Sequence, residues 1–244
     1  MAERQNWPHL NTGMKPQEAL QQASVVLLDA QIDLVLPAVM KGLPNTLYST
    51  FEWGVYRGVP PVATFSVQAN DESVFASVGF YRTGDGAFMV RADLLGFEKR
   101  WQRNGYGSDY ARSLLDLSVS LGASRITTQA NIDIGSYAWA RMGARPADPE
   151  AVKISLLERI NTLSDEKYWT ADEGAQMRRC LENDDPDFMY QLASQIAPDR
   201  APQFEKRLGF ELLSDCLIGQ FAWEAYWDLT ESAYLESVKA RLRR

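Results

Sequence analysis

Gln102-Arg103-Asn104-Gly105-Tyr106-Gly107 lies at the centre of a longer stretch, Phe88 to Ala144, and its reading decides the fold. A strand-like run precedes it and a helical pattern follows it. Glycines at 105 and 107 remove side chains where backbone amides approach a ligand, and a helix starting there adds unpaired N–H groups and the positive end of its dipole. Such a turn suits an anion, most naturally a pyrophosphate, although Gly-x-Gly at a helix start also arises from tight packing alone. Lys99, Arg100 and Arg103 make this the most cationic window of the first half of the chain. A dinucleotide fingerprint would want a third glycine where Tyr110 stands and a parallel strand in front, and a Walker loop would want Gly-Lys-Ser/Thr. Neither pattern is met.

Working upstream, short segments rich in Val, Phe, Tyr and Thr read as strands over Tyr48 to Tyr56, Val62 to Val67, Val74 to Arg82 and Ala87 to Phe97. Gly58-Val59-Pro60-Pro61 and Ala69-Asn70-Asp71 separate the first three, and Gly84-Asp85-Gly86 closes a tight hairpin, so the group reads as an antiparallel meander. Before it, Leu20, Ala23, Leu27, Ala30 and Leu34 recur at helical spacing from Pro16 to Lys41, with Pro37 expected to kink or end the run. Downstream of the turn, Tyr110, Leu114, Leu117 and Leu121 form one stripe that Gly122 terminates. Arg125 to Ala130 reads as a strand and Ser136 to Met142 as a short helix ending at Gly143.

Past Pro146 the pattern is helical almost throughout, with about five helices expected. Asp148-Pro149 gives a cap with proline behind it, followed by the stripe Val152, Leu156, Ile160 and Leu163. Thr170-Ala171-Asp172-Glu173 is a capping-box pattern, Asp185-Pro186 repeats the cap-plus-proline start, and Thr230-Glu231 opens a last helix. Trp223 and Trp227, four apart, read as the core stripe of a helix, with an acceptor pocket as the other reading. Asp184, Asp185 and Asp187 read as a solvated loop, or as a lure for a cationic substrate.

The totals narrow the function classes. The composition, 45% hydrophobic and 23% charged, is that of a globular chain. No apolar run nears the roughly 20 residues of a membrane helix, and the start lacks a basic-then-apolar signal pattern, so a cytoplasmic protein is expected. Residues 1–147 carry 13 Lys+Arg against 13 Asp+Glu and residues 148–244 carry 12 against 19, so the second part holds the whole net charge of -7. An acidic chain without a basic stripe argues against nucleic acid as partner. Cys180 and Cys216 read as two buried free thiols, no metal site is expected, and His9, the single histidine, reads as surface.

Leu95-Gly96-Phe97-Glu98-Lys99-Arg100-Trp101-Gln102-Arg103-Asn104-Gly105-Tyr106-Gly107 resembles motif A of the GNAT acyltransferase superfamily, whose hallmark is Arg/Gln-x-x-Gly-x-Gly/Ala after the fourth strand. The strand that follows, Asn131 at its end, and Trp139-Ala140-Arg141-Met142-Gly143-Ala144 extend the resemblance, which spans residues 46 to 146. It implies an α+β fold, a mixed and largely antiparallel sheet with flanking helices, followed by an all-helical C-terminal region. The expected organisation is a helical segment 1–45 packed on the core, an acyl-CoA-binding core 46–146, and a helical extension 147–244.

The resemblance also implies acetyl-CoA, or another acyl-CoA, as cosubstrate. Its pyrophosphate would meet the backbone of Gln102, Arg103, Asn104, Gly105, Tyr106, Gly107 and Ser108. Its pantetheine arm would pair with Leu95, Gly96 and Phe97, Gly96 suiting a splay or bulge, and Asn131 and Trp139 would lie beside it. Asp93 takes the position of a base that removes the amine proton, and reads equally as a structural carboxylate on an alternating strand. Trp139 stands where the family has a tyrosine, and an indole N–H is no practical proton source, so Ser136 is the modest substitute as donor to the leaving thiolate. Tyr137, two residues away, faces elsewhere on a helix. The implied function is an N-acyltransferase of unidentified amine acceptor, with the extension shaping the acceptor site or a homodimer contact. The alternatives are a GNAT-fold binding or assembly protein without catalysis and, against the charge, a nucleic-acid-modifying enzyme.

Overall fold

The computed structural model describes residues 26–27, 29–56, 62–102, 104–130, 135–196, 207–214, 217–219 and 221–243. His9, Arg103, Asn131 and Cys216 lie outside these residues. The fold is α+β, with an open, mostly antiparallel sheet and, among the described residues, eight helices. It forms two compact units. Thr127 closes the first and Thr128 opens the second, Asp228–Ser232 return to the first, and Ala233–Leu242 belong to the second.

The first unit holds helix α1 (Asp29–Lys41), strands β1 (Tyr48–Tyr56), β2 (Val62–Ala69), β3 (Val74–Arg82) and β4 (Phe88–Phe97), and helix α2 (Tyr106–Ser120). Strands β1 to β4 form the expected antiparallel meander. Seven of the eight residues of β2 and six of the nine of β3 are buried, on both faces of these inner strands, where Val-Ala-Thr-Phe-Ser-Val offers apolar or small groups to each. Where hydroxyls fall inside they pair, as Ser66 Oγ does with Ser77 Oγ at 3.2 Å across the ladder. Helix α1 continues past Pro37 to Lys41, so the proline does not end it. It packs on α2, and Gly42 sits so near that helix that a Cβ there would lie 2.3 Å from Tyr110 Cα. The stripe Tyr110, Leu114, Leu117 and Leu121 is buried, and Gly122, at φ +72°, ends it in the left-handed conformation glycine allows. Strand β5 (Arg125–Ala130) starts here, with Ser124 N donating to Phe88 O at 2.8 Å.

The second unit holds the end of β5, helix α3 (Gly135–Arg141), the two-residue β6 (Arg145–Pro146), helices α4 (Pro149–Asp165), α5 (Ala171–Glu182), α6 (Phe188–Ser194) and α7 (Leu208–Leu213), strand β7 (Trp223–Asp228) as far as Trp227 and helix α8 (Ser232–Leu242) from Ala233. Five helices follow Pro146 among the described residues, yet the extension is not all-helical. Trp223–Asp228 is a strand, antiparallel to β6 with Arg145 opposite Tyr226. Trp223, Ala225 and Trp227 are buried and Glu224 is exposed, which is a period of two. The tryptophans are core, as one reading held, but on a strand: a spacing of four is also two strand periods. The composition break near Pro146 falls inside this unit. No helix among the described residues is long and apolar enough to cross a membrane.

Candidate functional site

Strand β4 is irregular at one place. Ser77 faces Leu94 and Val78 faces Ala92, so Asp93 is the extra residue of a β-bulge, which bends a strand and re-aims a side chain. In the β3–β4 ladder the bulge is therefore at Asp93, while Gly96 pairs in register with Phe75, Leu95 with Ala76 and Phe97 with Val74. The Asp93 carboxylate, 13% exposed, takes both ends of the Arg91 fork, with Nη2 to Oδ2 at 3.2 Å.

Beyond Phe97 the chain makes a turn held by its own side chains. Gln102 Nε2 donates to Phe97 O at 2.8 Å and Asn104 Nδ2 donates to Arg100 O at 3.0 Å, so these side chains close the loop. Tyr106 packs edge-on against Trp101, with ring centroids 5.8 Å apart, and tilted against Phe97 at 6.3 Å. Arg100 pairs with Asp71 and with Glu98 and lies over the Trp101 ring, so one of the three cations of this window is engaged within the fold; Lys99 is exposed.

The β2–β3 hairpin fastens this turn, through residues that sequence reasoning took only as punctuation. Buried Ser73 accepts from Trp101 Nε1 at 3.0 Å through its hydroxyl and from Glu98 N at 2.9 Å through its carbonyl. Ser73 also donates to Asp71, whose carboxyl is lowered to about 2 by those Ser73 hydrogen bonds first and by Arg100 after them. The signal was the Asp71-x-Ser73 spacing, an Asx-turn pattern.

Helix α2 begins at this platform. Gly105 takes φ +86°, open only to glycine at low cost, and gives the helix no side-chain cap. A Cβ at Gly105 or Gly107 would meet nothing within 4 Å, and Gly105 and Ser108 are exposed. The first amides of the helix, those of Tyr106, Gly107 and Ser108, thus begin where Gly105 and Gly107 leave open space, with the dipole behind them. The one acidic residue of the first turn, Asp109, is drawn to Arg112 at 3.0 Å. This arrangement can bind an oxyanion.

The remaining sequence-derived candidates lie in the second unit. Ser136 is buried, and its Oγ donates to the carbonyls of Ala130, at 2.9 Å, and Phe221. It clamps the end of β5 to the segment before β7. Trp139 packs on Trp227 with centroids 5.1 Å apart, whereas Tyr137 is buried edge-on to Phe210, so the two face different neighbours as helical geometry required. The acidic trio is engaged: Asp187 pairs with Arg145 and Arg241, Asp185 accepts from Asp187 N and Gln191, and exposed Asp184 lies 3.7 Å from Lys153. Cys180 is a buried free thiol whose pKa burial pushes up. Among the described residues no group of His, Cys, Asp and Glu could hold a metal ion. No protein-family model matches the chain, and no curated protein is significantly similar to it.

Proposed function

We propose that the protein is a GNAT-like N-acyltransferase that takes its acyl group from acetyl-CoA or another acyl-CoA. The observation that carries this reading is the open start of α2, three consecutive amides on a fastened turn directly after a bulged strand. Amides and dipole would take the pyrophosphate without a metal or a dedicated cation, and the end of β4, Leu95 to Phe97, would run beside the pantetheine arm. The acceptor nitrogen forms its bond to the thioester carbonyl carbon as the C–S bond breaks. The amine proton passes to the Asp93 carboxylate and the thiolate takes one from solvent, since Ser136 spends its proton on carbonyls.

The test is release of the coenzyme A thiol from acetyl-CoA in the presence of a panel of small primary amines. The expected result is amine-dependent release that falls at least a hundredfold in Asp93→Asn. Coenzyme A binding without any release across the panel would favour the second reading, a binding or assembly protein on the same fold, which the buried Ser136 and the Trp139–Trp227 packing support.

A further inference from the structure

The Asp93 site has an occupant of its own. Arg91 and Asp93 are two apart on β4, the Asp93 side chain 13% and the Arg91 side chain 31% exposed, so the aspartate is the more enclosed member and the arginine the one with more access to solvent. Gly79, opposite Arg91 in the ladder, makes the room: a Cβ there would come 3.0 Å from Asp93 Oδ2, 3.1 Å from Val62 Cγ1 and 3.5 Å from Arg91 Nε. From α2, the Tyr110 hydroxyl adds a buried group that makes no hydrogen bond among the described residues. Its ionisation is pushed up by burial first and by the Asp93 charge second, so phenol and carboxylate sense one another. A carboxylate so enclosed is costly to leave without a cation, yet one cation can exchange for another at little net cost, because the new pair replaces the old.

We infer that Asp93 is the anchor for a cationic acceptor, a primary alkylammonium or a guanidinium, and that Arg91 fills its place until the acceptor displaces it. Calling the ligand an acceptor rests on the acyltransferase reading; the cation site does not. Once bound, an ammonium gives its first proton to the carboxylate that holds it, which leaves the neutral amine the reaction needs, and the carboxyl returns that proton to solvent before it takes the second as the C–N bond forms. Arg91 thereby acts as an internal competitor, and the apparent affinity for the ligand is lowered by the fraction of molecules in which the internal pair is closed.

The test follows binding of propylammonium by calorimetry and thermal shift at fixed ionic strength, with propanol as neutral control. Arg91→Ala is expected to bind propylammonium about tenfold more tightly than the wild type, and Arg91→Ala/Asp93→Asn is expected to lose that binding. Arg91→Gln, which keeps most of the stem, repeats the comparison should Arg91→Ala not fold. Equal binding by the single and double variants, or equal shifts with propanol, would overturn the inference. Coenzyme A titration of the same proteins separates the two readings. Propylammonium binding without coenzyme A binding overturns the acyltransferase reading and leaves the cation site standing; the reverse overturns the cation site alone.

Discussion

Helices α2 and α5 begin in opposite ways. At α5, Thr170 and Glu173 close a capping box, with Glu173 N donating to Thr170 Oγ1 at 3.2 Å and Thr170 N to Glu173 Oε2 at 2.8 Å. At α2 the corresponding place is Gly105 in the left-handed conformation, and no side chain caps the first turn. A capped start is finished by its own sequence, whereas an uncapped start on a fastened, glycine-bearing turn is finished by solvent or by a ligand. The cost of omitting the cap at α2 is accepted where Ser73, Trp101 and Tyr106 hold the turn in place. That contrast is the physical content of the proposed cofactor site.

The contrast can be broken at either end. The largest effect is expected at Gly105→Glu: coenzyme A at a hundred times its Kd should stabilise the wild type by about 2.7 kcal/mol, and the variant should show none of this in a thermal scan. The variant should also lose about 1–2 kcal/mol without ligand, because a side chain at φ +86° is strained. Next comes Ser73→Ala, which strands the Trp101 indole N–H and should cost about 1.5 kcal/mol in denaturant unfolding while weakening coenzyme A binding. Thr170→Ala should cost about 1 kcal/mol and leave coenzyme A binding untouched, since α5 owes nothing to a ligand.

The smallest effect concerns acid. Asp71 titrates at about 2 in the folded chain, below the ordinary value near 3.9 for an unfolded aspartate. Its folded pKa is depressed, so its contribution is fully present above pH ~4 and is lost as pH falls through ~2. Asp71→Asn should lower stability slightly above pH ~4 and converge with the wild type as pH falls through ~2, which flattens the acid limb; the loss is small because the carboxylate is exposed.

Much of this was legible in the residues themselves. The spans of β1, β3 and β5 fall where the β-branched and aromatic runs placed them, and the caps at Asp148 and Thr170 are made as their side chains allow. These features are local, each set by residues within one turn or one strand. What was not legible depends on partners far along the chain. The bulge is a matter of register between β3 and β4, so Asp93 could be named but its displacement could not, and Gly79 gains meaning only by facing Arg91. Asp185-Pro186 looked like a helix start, but Asp185 accepts from Asp187 N and the helix begins at Phe188. At Trp223 and Trp227 the large residues were ambiguous between two periods, and the small Ala225 between them, buried as they are, was the deciding residue.

The most direct test of the central claim is a backbone amide NMR titration with coenzyme A. The account predicts that the largest shifts fall on Tyr106, Gly107 and Ser108, with the amides of Ala171, Asp172 and Glu173 unmoved. Unmoved turn amides at millimolar coenzyme A, or shifts that spare the turn and fall elsewhere, would contradict it.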